Sequence, residues 1–519
     1  MAAQRQATRR NRRPSLAEAL TSPACYAHAV DGVTLAETHI SWVFLTGKYA
    51  YKVKKPVKLP FLDFSTLRKR KHFCEQELAV NRRLAPQLYL GVVPIGGSPA
   101  APRIGKTPAF EYAVKMRQFP PEARLDRVLA AGKLTRAALC EFADTLARFH
   151  AKMPPLHTDA ASHAVRAATL DNFAALEPHA PAACRDALRT LQAWTERELA
   201  ALAQTFRERV ANGAEREGHG DLHLENLLLQ NGKVIAYDAL EFDRQLRTTD
   251  VVSETSFLAM DLVAHDRPDL AFTFLNRYFE ASGDYAGIEV LRFYLVYRAL
   301  VRAKVQAIKA AQRGEAQRSE ALEPYLGTAT TLAHRRQPLL VIAHGLSGSG
   351  KTFITDELVG RLPALRVRSD VERKRLHGLA ADARTNSGVG QGLYGDAASR
   401  ATYAALAATA DRALRHGFDA IVDATFLRRR ERAELQQVAA ANAARFAILE
   451  CVATERELRK RIAARAAAGR DASEANFAVL DRQLITREPL APWERRAAVR
   501  VDTERPLHFA RIARGLATR

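Results

Sequence analysis

Long apolar runs are missing from this chain. No stretch approaches the roughly 20 consecutive apolar residues that a bilayer-spanning helix needs, which excludes a transmembrane protein. A secretory leader is not expected either, because Glu18 and Ser22 interrupt the one apolar stretch near the start. Cysteine is scarce: Cys25, Cys74, Cys140, Cys184 and Cys451 are odd in number, scattered and without metal-ligand spacing. This pattern excludes a disulfide framework and leads to the expectation of a reduced, cytoplasmic setting. Aromatic residues amount to 7% and few interleave with arginines, which argues against a surface that stacks single-stranded bases. No internal repeat is visible.

What is present is a long chain with ample core material. At about 150 residues per folding unit, 519 residues suggest roughly three units. With 47% hydrophobic and 26% charged residues, a disordered chain, a collagen and a coiled coil are all excluded. The formal net charge of +21 fits nucleic acid or phosphorylated, anionic partners. Most of the arginine, however, is spread along Ala- and Arg-rich helices. The first 13 residues form the one cluster, with Arg5, Arg9, Arg10, Arg12 and Arg13, and read as a solvated, disordered tail.

Patterning divides the rest. Residues 1–29 read as tail and lead-in. Ile40–Leu45 and Tyr49–Val53 alternate in a strand-like way around Thr46-Gly47-Lys48, which predicts a hairpin. A helix bearing Leu67, Cys74, Leu78 and Leu84 follows, with Ser65 or Thr66 as N-cap. Residues 121–330 are mostly helical, broken by an island of different texture at 218–243. Residues 331–337 are taken as a linker. From 338 to 519, strands predicted at Leu339–Ala343, Leu365–Arg368, Ala420–Asp423, Phe446–Val452 and Ala498–Asp502 alternate with helices. That alternation predicts an α/β domain with a parallel sheet.

Gly345-Leu346-Ser347-Gly348-Ser349-Gly350-Lys351-Thr352 is a full phosphate-loop pattern, placed between an apolar strand and a helix. Its glycines let backbone N–H groups wrap phosphates, and the helix N-terminus adds partial positive charge. In that pattern Lys351 reaches the β- and γ-phosphates, while Thr352 ligates Mg²⁺. Asp370, at the end of the second strand, is placed to take a proton from an acceptor hydroxyl. Arg373, one turn on, is placed to hold an anionic group. Asp423, ending the third strand, is placed to orient Mg²⁺ or its water. Arg456, Arg459, Arg461, Arg465 and Arg470 bracket a helix and a turn at Gly469, and read as a lid. Together these residues resemble the small P-loop kinases, among them polynucleotide 5′-kinases, gluconate and shikimate kinases and zeta-toxin-like kinases.

The island at 218–243 reads His219-Gly220-Asp221-Leu222-His223-Leu224-Glu225-Asn226, then Tyr237-Asp238 after a hairpin-like stretch. One carboxylate, a carboxamide five residues later and a second carboxylate form the arrangement a kinase loop needs. Asp221 would orient the acceptor hydroxyl, whereas Asn226 and Asp238 would hold Mg²⁺ on ATP. His219 and His223 read as loop-packing residues rather than metal ligands. The segment resembles the aminoglycoside phosphotransferase and choline kinase-like family, over about residues 30–330. The resemblance implies that Lys52 is the ATP-phosphate lysine and Glu77 its ion-pair partner, with Lys54 and Glu75 as rivals. It also implies that Phe110–Phe119 is the hinge strand and that Leu146–His150 ends the helix before the substrate region. Asp238 is followed by Ala239-Leu240-Glu241-Phe242-Asp243, a departure that puts Glu241 or Asp243 in a position to alter metal binding.

The resemblance as a whole is to a bacterial fusion. An α+β, protein-kinase-like bilobal domain at 30–330 precedes an α/β P-loop domain at 338–519. The implied function is ATP-dependent phosphotransfer at two nucleotide sites, with Mg²⁺, to an unidentified small-molecule or nucleic-acid acceptor. A polynucleotide 5′-hydroxyl kinase and a non-catalytic ATP-binding regulator are the alternatives.

Overall fold

The computed structural model describes residues 14–59, 62–156, 161–181, 184–313, 318–381, 383, 395–468 and 473–519. The basic cluster at Arg5–Arg13 and, of the residues expected to form a lid, Gly469 and Arg470 lie outside them. The chain forms two compact units. One comprises Met1–Ala138, Lys152–Leu156 and Glu215–Glu254, the other Leu139–Ala151, His157–Ala214 and Thr255–Arg519. Among the described residues no helix is long and apolar enough to cross a membrane.

The first unit is built on a six-stranded antiparallel sheet. Its strands are β1 (Thr34–Glu37), β2 (Ser41–Leu45), β3 (Tyr49–Lys54), β4 (Tyr89–Ser98), β5 (Ala101–Ile104) and β6 (Ala109–Arg117), ordered β1-β2-β3-β6-β4-β5. The expected hairpin is β2–β3, with Leu45 opposite Ala50 and Gly47 in the left-handed region at φ 85°. Strand alternation sorts β3 into two faces. Tyr51 and Val53 pack on one face with Phe44, Ile95 and the lead-in residues Leu20, Cys25 and Tyr26. Ala50 lies on the other, against Cys74 of helix α1 (Leu67–Asn81). Lys52 and Lys54 share the face of Ala50 and so point toward α1. Of the two candidate N-caps, Thr66 takes the role, accepting from Lys69 N at 3.3 Å.

The island at 218–243 belongs to this unit. A single 3₁₀ turn at Leu224–Asn226 leads into the hairpin β7 (Leu227–Gln230) and β8 (Lys233–Ala236). Asn231 and Gly232 make its two-residue turn with φ of 51° and 77°, the left-handed pair that an Asn-Gly hairpin turn requires.

The second unit contains a five-stranded parallel sheet. Its strands are β9 (Leu339–His344), β10 (Ala364–Arg368), β11 (Asp419–Asp423), β12 (Arg445–Val452) and β13 (Ala498–Asp502), ordered β10-β11-β9-β12-β13. All five lie where the strand–helix alternation predicts them, within one residue at each end. Every residue of β9, the central strand, is buried, as expected where helices cover both faces.

Helix α2 (Pro268–Ser282), which precedes the sheet in the sequence, packs against it. The outer edge of β10 would otherwise expose unpaired backbone groups. Asn276 of α2 satisfies two of them with its carboxamide: Nδ2 donates to Ala364 O at 2.8 Å, and Oδ1 accepts from Arg366 N at 2.5 Å. At the start of the edge strand a side chain thus takes the place of a sixth strand. Helix α3 (Ile288–Arg313) follows. Its Arg292 donates from Nε to His416 O at 2.9 Å and from Nη2 to Gly417 O at 2.8 Å, beyond the end of helix α4 (Asp396–Arg415). That contact holds the turn after the helix by its carbonyls.

Candidate active sites

In the first unit the charged residues named from sequence converge. Lys52 Nζ lies 2.9 Å from Glu77 Oε1 and 2.5 Å from Asp238 Oδ1. The rival Lys54 also reaches Glu77, at 2.8 Å from Oε2, and makes a second ion pair with Glu241. Glu77 therefore bridges both lysines. The rival Glu75 instead pairs with Lys71 at 3.7 Å on the surface. Of the two lysines, Lys52 contacts the carboxylate that follows the hairpin, and Lys54 is fully buried.

The electrostatics follow from burial and pairing. Burial pushes the Glu77 carboxyl up, but Lys52 and Lys54 outweigh it and hold its pKa at about 2. Burial likewise opposes the charge on Lys52, and Asp238, Glu77 and Glu241 together raise its pKa well above that of an ordinary lysine. The folded pKa of Glu77 is depressed, so its contribution to stability is complete above its ordinary value of 4.5 and is lost as pH falls toward 2. Glu77→Ala leaves each buried ammonium with one partner instead of two. The expected loss is about 3 kcal/mol, the low end for breaking a buried ion pair. A lower urea midpoint in circular dichroism checks it; an unchanged midpoint would mean the cluster is neutral for folding.

The loop at 219–226 is tied internally. Asn226 Nδ2 donates to Asp221 Oδ2 at 2.8 Å and to Asp221 O at 3.0 Å. His223 Nδ1 accepts from Glu225 N at 3.3 Å, which fixes the proton on Nε2, 3.2 Å from Asp221 Oδ2. His219 Nδ1 accepts from Asp221 N at 3.3 Å, and its Nε2 donates to Tyr237 O at 2.9 Å. Burial lowers the His219 pKa, which keeps the ring neutral in that role. Both histidines therefore orient the loop. Gly220 is in the left-handed region at φ 86°, and a Cβ there would stand 2.9 Å from Arg247 Cβ.

Sequence reasoning missed the groups that support this loop. Glu254 Oε1 accepts from the backbone N–H of His219 and, at 3.1 Å, of Gly220. Tyr89 OH accepts from Asp238 N at 3.0 Å. Asp238 itself holds a left-handed backbone at φ 60°, a conformation Asp tolerates better than most residues. As for the departure after Asp238, Glu241 is consumed by Lys54, and Asp243 accepts from Gln245 N at 2.7 Å as a helix N-cap.

In the second unit the phosphate loop leaves the C-terminal end of β9 and enters helix α5 (Lys351–Arg361) through Gly350, at φ 85°. Gly345 has φ 149°, and a Cβ there would lie 2.4 Å from Cys451 O, so the loop's first turn admits no side chain. Ser347 N donates to Gln483 Oε1 at 2.9 Å. Lys351 Nζ donates to Gly345 O and Leu346 O, each at 2.9 Å. Burial lowers the Lys351 pKa, with Asp423 and Asp370 acting in the opposite sense.

A cavity of about 400 Å³ opens on this loop, and Ser347, Gly348, Gly350, Lys351 and Thr352 line it. Asp370, Arg373 and Asp423 line the same cavity, as do Arg461 and Arg465. Ser349 is buried behind the loop. Asp370 is the second residue of helix α6 (Ser369–Leu376), whose N-cap is Arg368. Arg373 Nη1 donates to Ser399 Oγ at 3.3 Å. The arginines expected to form a lid divide: Arg461 is tied to Thr503 O at 2.9 Å and Arg465 to Ala475 O at 2.9 Å. Arg459 pairs with Glu455 at 2.8 Å, and Arg456 is exposed.

Both sites carry hard oxygen donors suited to a divalent cation. In the first, the Asn226 amide nitrogen is turned onto Asp221, which leaves its oxygen as the acceptor, and Asp238 is 44% exposed. In the second, Thr352 and the buried Asp423 carboxylate share the cavity.

Residues 63–236 match a family described as phosphotransferase enzymes, and residues 340–490 match an AAA domain. Uncharacterized proteins of Mycobacterium bovis and Mycobacterium tuberculosis are each 31% identical over 494 residues, covering 93% of this chain and 95% of their own. Among solved structures, a choline/ethanolamine kinase family protein from Mesorhizobium loti aligns over 61% of this chain and 92% of its own, at 13% identity and a TM-score of 0.38. A gluconokinase from Sinorhizobium meliloti aligns over 36% of this chain and 94% of its own, at 23% identity and a TM-score of 0.25.

Proposed function

Because the chain belongs to the family of those mycobacterial proteins, and joins a phosphotransferase-family domain to an AAA-type P-loop kinase domain, we propose a two-site phosphotransferase. It is an ATP-dependent kinase, and each domain binds its own ATP with Mg²⁺. The observation that carries the reading is the shared cavity, in which the phosphate-loop lysine, a carboxylate at a strand end and several arginines face one space.

At the C-terminal site Lys351 exchanges its loop carbonyls for β- and γ-phosphate oxygens. Asp370 takes the proton of the acceptor hydroxyl as its oxygen attacks the γ-phosphorus, and the bond to the β,γ-bridging oxygen breaks. Arg373 favours an acceptor that carries an anionic group. Mg²⁺ held by Thr352 and Asp423 would neutralise phosphate charge. At the N-terminal site Lys52, oriented by Glu77, contacts ATP phosphates. Asp221 faces the acceptor hydroxyl there, and Asn226 with Asp238 would hold the cation.

Lys351→Ala removes the loop's own cation and is expected to cost one ATP per chain in a calorimetric titration. Unchanged stoichiometry would overturn the C-terminal assignment. Incubating the wild type with labelled ATP and pools of metabolites or oligonucleotides identifies the acceptors; transfer to neither pool would favour the regulatory alternative.

A further inference from the structure

Two arginines on β10 meet a carboxylate from outside the P-loop segment. Arg366 and Arg368 stand two residues apart, so both project from one face of the strand. Glu280, near the end of α2, is buried against them. Arg368 Nη1 donates to Glu280 Oε1 at 3.1 Å, and Arg366 Nη2 lies 3.9 Å from Glu280 Oε2. Arg277 Nη1 also donates to Oε1, at 2.9 Å. Burial pushes the Glu280 carboxyl up, but Arg368, Arg366 and Arg277 outweigh it and keep it charged.

Each β10 arginine also reaches toward Asp423. Arg366 Nη1 donates to Thr355 Oγ1 at 3.2 Å, and that hydroxyl donates to Asp423 Oδ2 at 3.3 Å. Arg368 pairs with Asp423 in the strand register. Its Nε stands 3.9 Å from Asp423 Oδ2, beyond hydrogen-bond distance. Arg368 also lines the nucleotide cavity on one side and, with Glu280, a second cavity of about 330 Å³ on the other. A guanidinium that closed fully onto Asp423 would neutralise the carboxylate and compete with a cation for it.

We propose that Glu280 is a positioning residue of the C-terminal site: it restrains Arg368 short of Asp423 and so keeps that carboxylate available to the nucleotide-bound cation. The helix that carries Glu280 lies outside residues 340–490, so the P-loop segment takes part of its charge balance from a neighbour. The inference rests on the reading of residues 345–352 as an ATP site.

The test is calorimetric titration of ATP into the full-length protein over a series of Mg²⁺ concentrations, following the binding event that Lys351→Ala removes. In Glu280→Gln the Mg²⁺ concentration for half-maximal affinity should rise roughly tenfold, the scale of one desolvated charge pair. Arg368→Met should lower it, and the double variant should match Arg368→Met alone. An unchanged value in Glu280→Gln, or a rise that persists in the double variant, overturns the proposal. If Glu280→Gln fails to fold, Arg368→Met decides by itself, because an unchanged or raised value contradicts the restraint. Absence of any Lys351-dependent ATP binding in the wild type removes the ATP-site reading and this inference with it. Binding that is present but indifferent to both substitutions removes the inference alone.

Discussion

Asp370→Asn is expected to slow phosphoryl transfer at the C-terminal site roughly 10²–10⁴-fold, the usual worth of a positioned general base. The carboxylate lines the cavity beside Lys351 and Arg373 and is half-buried. Its rival role is structural. At the second position of α6 a negative charge is favoured by the helix dipole, by about 0.3–1 kcal/mol. The helix has no side-chain cap hydrogen bond at its N-cap, which is Arg368 rather than Asp370. Asparagine retains the shape of the side chain and removes its basicity and charge, so the melting temperature should fall by no more than that small dipole contribution. The measurement is transfer from labelled ATP in an Asp221→Asn background, which silences the other site. Transfer at the parental rate would remove Asp370 from the chemistry and favour an ATPase or a regulatory domain.

Asp221→Asn should abolish N-terminal transfer to a similar degree, roughly 10²–10⁴-fold, while ATP binding to that domain persists. Asp221 Oδ2 receives hydrogen bonds from Asn226 Nδ2 at 2.8 Å and from His223 Nε2 at 3.2 Å. An asparagine carbonyl can accept both, so the loop is retained and only the negative charge is lost. Lys52 and its partners Glu77 and Asp238, proposed above as the ATP side of the site, lie on other elements and are untouched. The two readouts therefore separate: a normal isotherm with no transfer assigns Asp221 to the acceptor. Loss of ATP binding as well would assign it to the architecture of the loop.

Periodicity made most of the scaffold legible. The β2–β3 hairpin follows from strict alternation around Gly47, and the parallel sheet from short apolar strands spaced by helices. The phosphate loop was legible for a different reason, since its geometry admits few side chains and so constrains the sequence directly, as at Gly345. Long-range partners left no local trace. Glu254 reads as an ordinary helix carboxylate until the fold brings it onto the His219 and Gly220 amides. Lys52 and Lys54 share a strand face, so alternation could not rank them, and the structure shows one carboxylate holding both. Arg366 and Arg368 did carry a signal, because charged residues at every second position are unusual in a strand of a covered parallel sheet. What they meet, Glu280, lies more than eighty residues earlier and could not be paired with them from pattern alone.

The closure of the β10 edge by Asn276 has a consequence for synthesis. The carboxamide precedes the Ala364 carbonyl it binds by 88 residues. At a translation rate of about 5–20 residues per second, it is made roughly 4–18 s before that strand. Helix α2 can thus be in place when β10 emerges, and the raw edge of the nascent sheet meets its cover before it meets another ribosome's product. A gene rearranged to encode the P-loop segment first would reverse that order and leave the edge bare until α2 is made.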